Sequence, residues 1–165
     1  MKGISKLIEI LKDENKIYQD ILTLTNAKTE MIAQENMSEI SNIAKQEEEY
    51  IKEAKLIEYK REDQITAIEK SLDIDKISDI SSLLNYVDDD NIKKQLIETQ
   101  RQFTNTLNEL KRVNKMNNTL IQDALEYIAL SVNLMTGATT DGKYGRNTAE
   151  TEVQTHHKNM FDFKG

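Results

Sequence analysis

No proline occurs anywhere in this chain of 165 residues, and glycine occurs only at positions 3, 137, 142, 145 and 165. Residues 4–136 therefore lack both residue types that interrupt a helix most effectively. An all-β sandwich is excluded, because its many tight turns need glycine and proline. Charged residues make up 31 % of the chain, and Ile, Leu, Lys, Glu and Gln are abundant, a composition of long amphipathic helices with coiled-coil-like packing. The absence of cysteine removes disulfides, thiolate nucleophiles, iron–sulfur clusters and cysteine zinc sites.

Apolar spacing divides this breaker-free stretch into an all-α fold. Ile4, Leu7, Ile8, Leu11, Tyr18, Ile21, Leu22 and Ile32 recur at three and four residues, one stripe of a helix over 3–34 that weakens at Asn15, Thr25 and Lys28. Asn36 followed by Glu39 has the logic of a capping box, so a second helix over 37–71 starts there. That helix carries Ile40, Ile43, Ala44, Ile51, Ala54, Ile57, Ile65, Ile68 and Leu72; Glu47-Glu48-Glu49 and Lys60-Arg61-Glu62-Asp63 are expected on its solvated side. So short a turn forces the two helices antiparallel. Ile77, Ile80, Leu84 and Val87 predict a short connector helix over 76–87, capped by Asp73 or Asp75. The seam Ile92, Leu96, Phe103, Leu107, Leu110, Asn114, Asn117, Ile121, Ala124, Ile128, Ser131 and Met135 predicts a third long helix over 90–135. Three long helices with a short connector make an elongated antiparallel helical bundle or coiled coil over 1–135. Residues 136–165 hold four of the five glycines and no apolar period, and are expected to be a flexible tail.

Charge narrows the partners. The net charge is −7, and the last 30 residues balance Lys143, Arg146, Lys158 and Lys164 against Asp141, Glu150, Glu152 and Asp162, so the excess belongs to the helical body. Nucleic acid and anionic lipid are therefore disfavoured as partners. No run approaches the roughly 18 apolar residues that span a bilayer, so no direct membrane insertion is expected. Glu9, Lys12 and Asp13 interrupt any signal-peptide core, and a cytoplasmic location follows as the expectation.

Catalytic and metal-binding patterns are missing. Asp88-Asp89-Asp90 lacks the alternating spacing, central glycine and closing glutamate of a calcium loop, and is better explained by the free amides and positive dipole end of a helix start. His156 and His157 are adjacent, so on a helix they would point about 100° apart. Neither a phosphate-binding glycine loop nor a nucleophile elbow occurs. No enzyme activity, cofactor or metal is expected.

One segment exceeds what a bundle needs. Ile121, Ala124, Ile128 and Met135 form one apolar stripe; Leu120, Tyr127 and Leu134 form a second, offset by one residue, and Leu125, Leu130 and Val132 widen it. Either this is a groove for an amphipathic partner helix, or the helix is central and both stripes pack internally.

Asn114-Lys115-Met116-Asn117-Asn118-Thr119-Leu120-Ile121 resembles the Asn-x-x-Asn-x-x-Leu-Leu/Ile segment in the last long helix of the FlgN family of flagellar type III export chaperones. Tyr144-Gly145 and the polar tail ending Phe161-Asp162-Phe163-Lys164 are similar to that family as well, as are the helix order and total length. The resemblance implies a chaperone that holds hook–filament junction proteins in the cytoplasm by their helical terminal segments, prevents premature assembly and delivers them to the export gate. It implies client binding by Asn117, Leu120, Ile121, Ala124, Leu125, Tyr127, Ile128, Val132, Leu134 and Met135. It also implies docking of Tyr144 on the cytoplasmic domain of the export-gate membrane protein. A structural coiled-coil protein that acts by self-association is the alternative.

Overall fold

The computed structural model describes residues 2–137. They form helix α1 (Lys2–Ala33), helix α2 (Met37–Leu72), a 3-10 helix (Ile80–Tyr86) and helix α3 (Asp90–Thr136), with no strand among the described residues. The fold class is all-α. The chain divides into two compact units, and the division falls inside α3 between Asn114 and Lys115.

In the first unit α1 and α2 form an antiparallel hairpin. Ile4, Leu7, Ile8, Leu11, Tyr18, Ile21 and Ile32 of α1 are buried, with Ile43, Ala54 and Ile68 of α2. Each buried Ile or Leu contributes about 1.5–3 kcal/mol. Gly3 packs closely against α2: a Cβ there would lie 3.2 Å from Ile68 Cγ1, and Gln64 Nε2 donates to its carbonyl at 2.9 Å.

The weak points of the α1 stripe are polar layers of the core. Glu14 is 1 % exposed, and Arg61 Nη1 donates to both its carboxylate oxygens, at 3.0 and 3.2 Å. Two heptads further along α1, Lys28 Nζ donates to Glu47 Oε2 at 2.7 Å, and Thr25 Oγ1 lies 3.0 Å from Glu47 Oε1. Glu47 and Arg61 thus correct the expectation that both charge runs of α2 are solvated; their neighbours Glu48, Glu49, Lys60, Glu62 and Asp63 are exposed. The reason is phase. Glu47, Ala54, Arg61 and Ile68 are seven residues apart and share the inner face. Ala44, expected in the stripe, is exposed.

The turn is built on Asn36. Its Oδ1 accepts from the Glu39 amide at 3.2 Å, the expected cap. The return half of the box is not made, because Asn36 N–H donates to Met31 O at 2.9 Å while Glu35 N–H donates to Ile32 O. That pair of bonds is a Schellman motif, with Glu35 in the left-handed position at φ 55°. A side chain there is strained. Glu35→Gly should therefore raise stability by roughly 0.5–1 kcal/mol, read as a higher denaturant midpoint; an unchanged or lower midpoint would contradict the assignment.

The connector differs in detail from expectation. Asp73 ends α2 in a left-handed conformation, its N–H donating to Glu69 O, and caps nothing downstream. The cap of the short helix is Asp79, whose Oδ1 accepts from the Ser82 amide at 2.9 Å. This helix winds with three residues per turn, which turns Leu83 inward rather than Leu84. Ile77 and Val87 are buried beside it in sequence as expected. Asp89 Oδ1 then accepts from the Asn91 and Ile92 amides at 2.8 and 3.2 Å, so this carboxylate is a helix cap.

Within the first unit the buried seam of α3 is Leu96, Thr99, Phe103, Thr106, Leu110 and Val113, an alternation of three and four. Leu107, assigned to the seam from sequence, is exposed; the phase passes through Thr106 instead. Phe103 packs on Tyr18 with ring centroids 5.5 Å apart, placing α3 against α1. Asn114 closes the unit, buried, its Nδ2 without a hydrogen-bond partner.

Candidate functional site

The described part of the second unit is one helical stretch, Lys115 to the end of α3 at Thr136, closed by Gly137. Thr136 Oγ1 donates to Val132 O at 2.8 Å, and Gly137 N–H donates to Asn133 O at 2.9 Å from a left-handed φ of +70°. A glycine is suited to that C-terminal position because it has no Cβ to clash. Lys115, Asp123 and Glu126 are the charged residues of 115–136.

Burial falls steeply along the inner stripe. Asn117 is 2 % exposed, Ile121 and Ala124 are half-buried, Ile128 is 55 % exposed and Met135 87 %. On the second stripe Leu120 is half-buried and Leu134 is 85 % exposed, while Leu130, which widens it, is exposed. Leu125 and Val132 are exposed too. Ten positions were assigned to client binding from sequence: eight lie at least partly open on this helix, Asn117 is buried, and the side chain of Tyr127 lies outside the described residues. Tyr144, His156 and His157 also lie outside them. Met116, exposed on the same segment, is not among the ten assigned positions, because it reads as a spacer within the asparagine pattern.

Isolated apolar side chains on a surface are ordinary, but a contiguous set on one helix marks an interaction site. Such a surface can bury the apolar face of another helix. Among the described residues no cluster of three His, Cys, Asp or Glu could hold a metal, and no helix is long and apolar enough to cross a membrane.

The titratable cluster of the protein lies in the first unit. Burial pushes the Glu14 carboxyl up to about 7, against the opposing pull of Arg61, with Glu58 adding to the rise. Burial also raises the Tyr18 phenol and the Glu58 carboxyl. These four side chains cluster between α1 and α2. On the outer face of α3, by contrast, Arg101 and Arg112 hold the exposed carboxylates of Glu98 and Glu109 below their usual range by hydrogen bonding.

The family model described as FlgN protein matches residues 1–152. The uncharacterized protein YvyG of Bacillus subtilis (strain 168) is 27 % identical over 169 residues, which cover 96 % of this chain and 96 % of that protein. No solved structure matches the chain.

Proposed function

The chain belongs to the FlgN family, and from that premise we propose that it is a cytoplasmic flagellar export chaperone. It binds helical terminal segments of hook–filament junction proteins, keeps them from assembling early and delivers them to the type III export gate. The observation that carries this reading is the open apolar helix surface at Ile128, Leu130, Leu134 and Met135. A client helix whose apolar face is buried only in the finished filament needs a temporary cover of this kind, and such pairing is a standard helix-in-groove mode.

Co-purification from cells tests the class: a junction protein should be retained by the chain. Leu120→Asp combined with Ile128→Asp should abolish that retention while leaving the circular dichroism spectrum helical, since Ile128 is largely open and Leu120 half-open. A tight homodimer in the ultracentrifuge, unaffected by the junction protein, would favour self-association instead.

Tyr144 is proposed as the contact to the export-gate cytoplasmic domain, supported by its match to the family's tyrosine near the C-terminus. A tyrosine supplies apolar area and a hydroxyl together. Tyr144→Ala should leave junction-protein affinity unchanged and weaken gate binding in a pull-down. Equal loss of both would refute the division of labour.

A further inference from the structure

The three helices of the first unit are not held together equally. The backbones of α1 and α2 run close together. Polar bonds also tie them at three levels, Gln64 to the Gly3 carbonyl, Arg61 to Glu14 and Lys28 to Glu47. The backbone of α3 stands further off, and its side chains make the contact. At about 100° per residue, Leu96, Phe103, Leu110 and Asn114 fall on one strip of α3. Phe103 meets Tyr18 there, which sets this strip against α1. On α1, Asn15 lies about 60° round the helix from Tyr18, on the side away from Glu14, and Glu14 is the residue that faces α2. Asn15 and Asn114 therefore belong to the two sides of one contact. Each side buries an amide group that it does not satisfy: Asn15 Oδ1 and Asn114 Nδ2 are out of water with no hydrogen-bond partner.

A buried polar group without a partner opposes the packing around it, because water would bond it. Two other seam residues of α3, Thr99 and Thr106, bring little apolar area. The Thr106 hydroxyl donates to Gln102 O of its own helix, a bond that undocking leaves intact. The bond from Gln100 to Ser81 of the connector lies at an exposed site, where water competes for it. Lifting α3 away thus hydrates both amides and forfeits mainly the packing of Leu96, Phe103, Leu110 and Val113. Parting α1 from α2 instead breaks two ion pairs and the closest backbone packing. We propose that residues 90–114 of α3 form a releasable strap, which lifts off α1 as a unit while the α1–α2 hairpin stays folded. Proteins open in such cooperative units at free energies below that of complete unfolding. Release uncovers Tyr18 and Phe103, and it is independent of what the protein binds.

The chain has no cysteine, so a single introduced thiol in the full chain reports the opening. Thr99→Cys and Ala54→Cys place it on α3 and in the hairpin at equally buried positions, 3 % and 2 % exposed. Without denaturant, Thr99→Cys should react with a thiol reagent about ten-fold faster or more than Ala54→Cys. Its rate should also depend less steeply on urea, because releasing the strap exposes less surface than unfolding the chain. Amide hydrogen exchange on the unaltered chain should follow the same order, with residues 95–112 ahead of 11–25 and 50–64. Adding Asn114→Leu removes one unsatisfied amide and should slow labelling of Thr99→Cys about ten-fold, with Ala54→Cys unchanged. Equal labelling rates with equal urea dependence, or exchange of α3 and hairpin amides through one common opening, would show a single cooperative unit and overturn the strap. Faster labelling in the hairpin overturns it too, as does an Asn114→Leu variant that leaves labelling of Thr99→Cys unaltered.

Discussion

Arg61→Met is expected to cost about 3–5 kcal/mol of stability at pH 8, the usual penalty for stripping one partner from a buried ion pair. Glu14 is 1 % exposed and takes hydrogen bonds from Arg61 Nη1 on both oxygens. Without the guanidinium its charge faces Tyr18 and the nearby Glu58 carboxylate, with nothing to offset desolvation. The loss should shrink at pH 5, where Glu14, whose pKa is pushed up to about 7, is already protonated and carries no charge to strand. Urea unfolding at the two pH values measures both effects. The double variant Glu14→Leu with Arg61→Met should return to within about 1 kcal/mol of the parent, because a buried pair exchanged for apolar side chains is often neutral or better. Equal losses at pH 5 and pH 8 would show that Arg61 acts through packing alone.

The second large effect is a fall in stability between acid and neutral pH. Burial pushes the Glu14 carboxyl up to about 7 in the folded state, against an ordinary value of 4.5. The folded form binds the proton more tightly, so this group's stabilising contribution is complete below about pH 4.5 and is lost as pH rises through 7. A shift of that size corresponds to about 3 kcal/mol. Glu58 is raised by burial and acts in the same direction. Glu98 and Glu109 are shifted the other way but lie in solvent, where screening leaves them little weight. Urea midpoints from pH 4.5 to 8 should therefore decline, and Glu14→Gln should flatten the decline. An unchanged slope in that variant would place the titrating group elsewhere.

Both effects come from residues whose burial the amino-acid sequence conceals. Glu47 and Arg61 stand inside runs of charge, and residue type assigns them to water. Their seven-residue phase with Ala54 and Ile68 assigns them to the core. Phase decides, because a helix buries a face rather than a residue type. The matching phase on α1 is Leu7, Glu14, Ile21 and Lys28, so each long helix of the hairpin carries an acid and, two heptads later, a base. Packed antiparallel, the acid of one meets the base of the other at both levels. A different register would leave buried charges unpaired, which supplies a physical reason for the alignment of two otherwise similar helices.

The apolar surface of 120–135 was legible to a different extent. Two apolar stripes at 120–135 can be read from spacing, but spacing does not distinguish a helix central in a bundle from one left open. Solvent exposure of Ile128, Leu130, Leu134 and Met135 supports the open reading for the outer part of the segment, while burial along the inner stripe declines from Asn117 through the half-buried Ile121 and Ala124.

By itself the sequence determined that residues 4–136 would be helical, since nothing in them stops a helix except the Asn36 and Asp89 caps and the connector between Leu72 and Asp90. It also determined the antiparallel turn, from the cap and the shortness of the break. Only the tertiary structure decided which polar residues face inward, that Leu83 rather than Leu84 is buried, that the α3 seam passes through Thr106, and where apolar side chains remain in water. Helix formation follows from local backbone preference and spacing. Burial depends on whether a second helix happens to stand opposite, and a single strand of sequence does not carry that.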